Sequence, residues 1–245
     1  MAALIPGWGP SLRTFRESDP RTLAGQTAQR LRNDIVRHRF VPGERLPFDK
    51  LSKLYDVGTS PLREALFQVV AQGLVVAEDH KGFVVAPIDF GEMLDVSSLR
   101  AHLETFAIRE SIRRADADWE VDLLGAFHRM KRVGQRLSGN VDDRETQDEW
   151  EQRHREFHFS LCKGCGSPWL LHFFEELYDQ LERYRRYYWR YSDRVDGADS
   201  DHEAIMQAAI GREEEKAVAL LQEHFSRQAQ LTMRLRQSLN EVSAA

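Results

Sequence analysis

Cysteine is scarce in this chain, with two residues in 245. That excludes a small disulfide-stapled scaffold and suits a reducing compartment. Long apolar runs are missing too. No stretch approaches the ~18 consecutive apolar residues of a membrane-spanning helix, and the mean hydropathy is −0.53, so a membrane protein is not expected. The opening MAALIPGWGP has no basic residue ahead of an apolar stretch, so no secretory leader is expected and the chain reads as cytoplasmic. No internal repeat or low-complexity tract occurs, which sets aside collagen-like and coiled-coil fibres. What is present is ordinary for a globular chain: 42% hydrophobic and 30% charged residues, enough to bury a core. The length suits two domains of unequal size.

The net charge of −5 conceals an asymmetry. Residues 20–87 hold 10 Lys and Arg against 7 Asp and Glu, whereas residues 88–245 hold 22 against 30. A mildly basic module therefore precedes an acidic one, which points to a polyanionic partner for the first alone. Residues 1–19 balance at 2 against 2 and carry Pro6, Gly7, Gly9 and Pro10 without any sustained period, so they read as a loose arm.

Along residues 20–87, Leu23, Thr27, Leu31, Ile35 and Val36 recur at helical spacing, predicting a helix over Thr22–Arg39 that Pro42-Gly43 stops. Two shorter helices follow, Phe48–Tyr55 and Ser60–Gln72, with Ser60 as expected N-cap and Pro61 at the first helical position. The β-rich runs 74–77 and 83–86 flank Glu78-Asp79-His80-Lys81-Gly82, a hairpin with a charged tip. Helix, turn, helix and hairpin in that order define a winged helix-turn-helix, whose second helix places polar side chains near its N-terminus in the major groove. Thr59, Ser60 and Arg63 occupy that end, while Leu62, Ala65, Leu66 and Val69 supply the buried face. Lys81 and Gly82 at the wing tip can approach backbone or minor groove. Small winged modules also serve protein–protein contacts, and that alternative stays open on this pattern alone.

From residue 90 onward the pattern is helical, with helices expected near 91–114, 117–138, 142–163, 168–192, 198–211 and 213–240. The short connections suit antiparallel neighbours in a bundle. Nine histidines occur in the chain, and four invite a shared role. His154 and His158 stand four apart on one helix, so both rings face one side. His202 opens the next-to-last helix and His224 lies inside the last. Imidazole nitrogens meeting at one point favour Zn, Ni, Co, Fe or Cu over Mg or Ca. Unconnected surface or satisfied histidines remain the bland reading of the same spacing. Arg100 and Glu104 form an i,i+4 pair of the kind many helices carry. Cys162-Lys163-Gly164-Cys165 has CxxC spacing but no second pair, so small residues closing a helix explain it better than redox or zinc chemistry. The run Tyr184-Arg185-Arg186-Tyr187-Tyr188-Trp189-Arg190-Tyr191 reads as an amphipathic helix with snorkelling arginines, or else as a dimer surface or a pocket wall.

The stretch RNDIVRHRFVPGERLPFDKLSKLYDVGTSPLREALFQVVAQGLVVAEDHKGFVVAPI resembles the DNA-binding domain of GntR-family bacterial transcription regulators. The Pro42-Gly43 turn, Leu46, Leu51-Ser52, Val57, Pro61 to Leu66, Gly73-Leu74-Val75 and Gly82 carry the likeness. It implies DNA contacts from Lys50, Thr59, Ser60, Arg63, Lys81 and Gly82. Many members have Arg where this chain has Thr59, and a threonine cannot make a bidentate guanine contact, so the operator is expected to differ from the commonest one. The region from about Phe90 to Arg236 is similar to the all-helical FCD effector domain of the FadR subgroup. That resemblance implies a divalent transition metal, Zn or Ni, held by His154, His158, His202 and His224, with His154 standing where most members have Asp. It also implies that Arg100 receives a small organic acid, with Glu104 as its orienting partner. RHREFH followed by GCGS, with DVGTSPLREAL, looks most like the carbon-starvation-induced branch, whose regulators respond to short dicarboxylates such as glutarate or 2-hydroxyglutarate.

The expected architecture is therefore mainly α: an arm over 1–19, a winged helix-turn-helix over 20–87, and an antiparallel helical bundle over 90–240 for effector binding and dimerisation. The expected function is a homodimeric regulator that binds a palindromic operator in double-stranded DNA, controlled by a carboxylate bound near a metal. Two alternatives are a sensor of the metal itself and a metal-dependent hydrolase or oxygenase using the same histidines. The last lacks an obvious general base and leaves the DNA reader unexplained.

Overall fold

The computed structural model describes residues 22–79, 82–139, 143–188 and 198–243. The expected arm and Lys81 lie outside them. The chain divides into two compact units. The first joins residues up to Ile35 to Phe40–Ala86, and the second joins Val36–Arg39 to the chain from Pro87.

In the first unit, helices α1 (Leu23–Val36), α2 (Phe48–Tyr55) and α3 (Thr59–Ala71) precede strands β1 (Val75–Glu78) and β2 (Gly82–Val85). Leu31, Leu51, Leu62, Leu66, Val69 and Leu74 are fully buried and form its centre. β1 and β2 pair antiparallel from Val75↔Val85 to Glu78↔Gly82. Residues 43–46 add a short third rung: Leu46 N–H donates to Phe83 O (2.9 Å) and Val85 N–H to Glu44 O (2.9 Å), with a bridge at Arg45↔Val84.

The start of α3 corrects one expectation. Gly58, extended at φ −72° and ψ 171°, is the N-cap rather than Ser60, and the helix begins at Thr59 without a side-chain cap. Pro61 therefore sits third rather than first. It is still in the turn whose N–H groups have no intrahelical acceptor, so its missing N–H costs nothing.

The second unit contains α4 (Phe90–Arg114), α5 (Ala117–Gly139), α6 (Arg144–Cys162), α7 (Pro168–Tyr188), α8 (Ala198–Ile210) and α9 (Glu214–Ser243). Asp89 caps α4 by accepting from Glu92 N–H at 2.9 Å, and Asp143 caps α6 by accepting from Glu145 N–H at 3.1 Å. Both carboxylates also suit the positive end of the helix dipole. A 3₁₀ turn over Lys163–Cys165 ends α6, which the sequence pattern had extended as α-helix to 163. Gly164 explains that turn. A Cβ there would stand 3.3 Å from Ser111 Cα and 3.3 Å from the Trp119 ring, so only glycine lets the turn lie against α4 and α5 without displacing them.

One continuous core runs through this unit, with Ile108, Phe127, Phe157, Phe174, Ile205 and Leu221 at or near zero exposure. α4 packs chiefly on α9 and α7, α5 on α6, and α8 on α9. The inward stripe of α4 is not wholly apolar: Arg100 and Glu104 continue the line of Ala107, Ile108 and Ser111. Charges are buried only with partners, and the partners of these two lie at the histidines. No helix among the described residues is long and apolar enough to cross a membrane.

Candidate metal centre and nucleic-acid interface

His154 and His158 project from α6, His202 from α8 and His224 from α9, and all four are buried. Each offers a ring nitrogen such that the four ligand atoms lie within 4.8 Å of one another. His158 Nε2 stands 3.2 Å from His202 Nε2. Two nitrogens each about 2.0–2.1 Å from a shared tetrahedral ion stand about 3.4 Å apart, so this spacing suits a common ion. The helix supplies the first half of the arrangement, since residues four apart lie one above the other on α6.

The outer nitrogens are held as well. His158 Nδ1 lies 2.8 Å from Glu104 Oε2, while the other carboxylate oxygen accepts from Arg100 Nε. A carboxylate acceptor places the ring proton on Nδ1 and leaves Nε2 as a free lone pair. His154 Nδ1 lies 2.5 Å from the Tyr178 hydroxyl, so ligation through Nε2 requires Nδ1–H to donate to the phenol oxygen. His224 Nδ1 stands 3.5 Å from Asp201 Oδ2, long for a hydrogen bond. Three helices thus bear ligands, and α4, α7 and α8 bear the groups behind them. Metal-ligating histidines commonly have such outer partners.

The electrostatics favour uncharged rings. Burial, then the neighbouring His158 and Arg185, pushes His154 well below the ordinary imidazole value. His158 is pushed well below by burial, then by Arg100. Burial raises Glu104 against the opposing pull of Arg100. Neutral imidazole is the ligand form, so the fold presents these donors without first having to remove protons near neutral pH.

Arg100 is 2% exposed. Its guanidinium carbon lies 4.4 Å from the ring centre of Tyr178, 5.3 Å from Phe225 and 5.6 Å from Phe174. Its Nη2 has no hydrogen-bond partner among the described residues. An unfilled guanidinium donor in an apolar setting is costly unless something receives it.

Cys162 and Cys165 are free and buried, and burial raises both thiols above their ordinary value, Cys162 well above. They remain protonated and weak as nucleophiles or ligands. The arginines of α7 do not snorkel, and here the sequence expectation fails. Arg183 is fully buried, Arg185 forms a fork on the buried Glu151 (3.0 and 2.7 Å), and Arg186 meets Glu182 (2.8 Å) and Asp148. Arg155 of α6 joins them through Glu175 (2.9 Å), Glu182 (2.9 Å) and Asp179. Carboxylates on α6 and α7 receive Arg155, Arg185 and Arg186, with Glu151, Asp179 and Glu182 among them buried, whereas Arg183 Nη1 donates to the Pro87 carbonyl at 3.4 Å. Tyr188 side-chain placement and residues 189–191 of that run lie outside the description.

Sequence reasoning found the four rings, Arg100 and Glu104. It missed Tyr178, for which a lone tyrosine 24 positions from His154 gave no signal. It also missed Asp201, although that residue stands directly before His202 in DHEA.

In the first unit, Thr59, Ser60 and Arg63 are exposed along the beginning of α3, and Gly82 is exposed at φ +78° at the start of β2. Lys50 is exposed on α2, but its ammonium is paired with Glu44 at 3.1 Å. Arg63 forms no ion pair among the described residues, and its guanidinium stands 6.0 Å from the ring centre of Phe48.

Helix-turn-helix and wing, followed by a helical bundle that gathers four histidines, define the class of DNA-binding regulators with an appended helical domain. Residues 23–85 match the model of bacterial regulatory proteins of the gntR family, and residues 95–227 match the FCD domain. Among curated relatives, the uncharacterized HTH-type transcriptional regulator BphR of Paraburkholderia xenovorans LB400 is 34% identical over 219 residues, covering 87% of this chain and 89% of that protein. The HTH-type transcriptional repressor GlaR of Escherichia coli K12 is 34% identical over 199 residues, covering 80% and 89%. Among solved structures, E. coli McbR/YncC superposes with a TM-score of 0.73 at 16% identity, covering 88% of this chain and 99% of that one, a likeness of fold. The chain belongs to the GntR family of bacterial regulators, in the subgroup with an FCD domain. It is a DNA-binding transcription regulator and not an enzyme.

Proposed function

We propose that this regulator holds a divalent transition metal, Zn or Ni, on His154, His158, His202 and His224, and that a small organic acid bound beside it controls operator affinity. The observation that carries the reading is the buried Arg100 guanidinium, with one donor unfilled next to four converging rings. The ion supplies a Lewis-acidic centre for a carboxylate oxygen. Arg100 Nη2 offers that carboxylate a charge-assisted hydrogen bond, while Glu104 holds the guanidinium from its other side. A short dicarboxylate such as glutarate or 2-hydroxyglutarate is the proposed effector. Because Glu104 touches both Arg100 and His158, acid binding and metal binding are thermodynamically linked.

The regulator acts as a homodimer on a palindromic operator, with Arg63 as the main contact of each α3 and with Thr59, Ser60 and Gly82 around it. The name of the E. coli relative, a transcriptional repressor, supports repression as the mode of action, and release by the acid is the proposed response. A second reading, the metal as the signal, draws on the number of imidazoles: four can close a tetrahedral site by themselves.

A thermal-shift series of short carboxylates on metal-loaded and metal-stripped protein tests the proposal. Stabilisation by a dicarboxylate in the loaded protein alone is the expected outcome. Stabilisation of neither form removes the effector reading. A chelator that changes operator binding equally with and without acid supports the metal sensor instead.

A further inference from the structure

The first unit carries a feature that the metal and its effector do not use. A groove of about 530 Å³ lies between α3, the N-terminus of α2 and β2. Three phenylalanines line its floor. Phe67 and Phe83 meet edge to face with ring centres 5.6 Å apart, and Phe48 stands 6.3 Å from Phe83. Arg45 and Arg63 line the same groove, and neither forms an ion pair among the described residues. Phe67 is 55% exposed on the same face of α3 as Arg63, one turn further along. Gly82 leaves its side open, since nothing stands within 4 Å of the place a Cβ would take.

Each part bears on what fits there. Two unpaired guanidinium groups sharing one groove repel each other and attract an anion. An aromatic floor is a poor bed for a small, strongly hydrated ion but a good one for an apolar surface that carries the anion with it. A sugar–phosphate backbone has both faces: deoxyribose C–H groups to rest on rings, and phosphate oxygens for arginine forks. The groove also adjoins the exposed face of α3 that bears Arg63. The backbone of Arg45 is fixed beside the groove, because Glu44 and Leu46 on either side of it are bonded to β2.

We propose that this groove receives the sugar–phosphate backbone of duplex DNA, with Arg45 as a phosphate contact and Phe67 and Phe83 as the apolar bed beneath the sugars. The inference rests on the reading of the first unit as a duplex reader, and it adds a contact that the helix N-terminus and the wing tip do not include. Such a contact adds affinity and register without sequence preference.

The test measures binding of the full chain to fluorescent mixed-sequence duplex across a salt series, for wild type, Arg45→Gln, Arg45→Lys and Phe67→Ser. Arg45 and Phe67 are exposed, so the variants are expected to fold, and a thermal melt of each checks it. One lost phosphate contact lowers the slope of log K against log salt by about 0.9. Accordingly, the wild-type advantage over Arg45→Gln shrinks about 3.5-fold between about 50 and 200 mM salt. Arg45→Lys retains the slope, and Phe67→Ser weakens binding with the slope unchanged. An unaltered slope in Arg45→Gln overturns the proposal, as does a loss confined to one base position, which would place a base edge in the groove. So does stabilisation by benzoate that Arg45→Gln abolishes while its DNA slope stays intact, which would make the occupant a small aromatic acid. Wild-type protein that binds no duplex at any salt would instead remove the parent reading along with this one.

Discussion

Replacing Glu104 by Gln separates two roles that meet on one carboxylate. Glu104 is fully buried, accepts from Arg100 Nε and faces His158 Nδ1 at 2.8 Å. The amide keeps the shape and removes the charge. Arg100 is then a buried cation without its counter-ion, a change that costs about 3–5 kcal/mol. For a helical unit of this size, where each kcal/mol shifts the melting point by about 2–4 °C, the expected drop is roughly 6–20 °C. The second effect falls on the ion. The amide has a single acceptor oxygen, which Arg100 Nε claims, so an NH2 donor faces His158 Nδ1 in place of the acceptor that fixes its tautomer, and loss of such an outer partner lowers metal affinity by about 10–100-fold. Adding Arg100→Met to Glu104→Gln removes the stranded cation and restores most of the melting point, because a pair deleted together costs far less than a pair broken. Without Arg100 the amide oxygen is free to accept from His158 Nδ1–H, so part of the metal affinity returns as well. Differential scanning calorimetry of chelator-treated protein and competition titration with a zinc indicator read the two effects independently. A double variant no more stable than Glu104→Gln would refute the buried-pair argument, and Glu104→Gln with wild-type zinc affinity would refute the positioning of His158.

Arg63→Ala weakens operator binding in gel-shift titration while carboxylate stabilisation in the thermal assay stays intact; unchanged DNA affinity counts against the docking of α3. Glu151→Gln strands Arg185, which binds that buried carboxylate through two nitrogens, and should cost about 3–5 kcal/mol in urea unfolding. Acid lowers the stability of the metal-free protein. Folded His154 and His158 resist protonation because of burial and the nearby Arg100, Arg185, His202 and His224, with Glu104 facing His158 and Tyr178 facing His154, whereas the unfolded chain takes up protons below about pH 6.5. The unfolded state then binds more protons, so stability falls with falling pH by up to about 1.4 kcal/mol per unit for each ring. Glu104, whose carboxyl is raised, offsets part of this at lower pH. A melting point that rises as chelator-treated protein is taken from pH 7.5 to pH 5.5 would contradict the assignment of neutral buried rings.

The fold was readable wherever local chemistry sets the outcome. The helix Phe48–Tyr55 coincides with its expected bounds, because Pro47 before it and Asp56-Val57-Gly58 after it leave little choice. The pairing of His154 with His158 followed from helical spacing alone. Most errors arose where distant residues decide, and one where a near neighbour does. Ser60 looked like a cap by type, but Gly58 supplies the extended entry and moves the helix start back. Arginines 185 and 186 looked surface-bound because their partners at 151 and 148 lie on another helix, and no local pattern records that. Tyr178 behind His154 belongs to the same class, as does the unfilled nitrogen of Arg100, which only the packing of α4, α7 and α9 makes evident.

Two groups of arginines stand in opposite surroundings. Arg45 and Arg63 stand in water, whereas Arg100, Arg155, Arg185 and Arg186 are largely enclosed with acids at hand. Mobile ions shield the first pair over about 10 Å at 0.1 M and hardly reach the enclosed ones. Added electrolyte should therefore loosen the hold on nucleic acid long before it softens the helical unit. A rise in intracellular salt is therefore expected to weaken the grip on DNA while the helical unit stays folded.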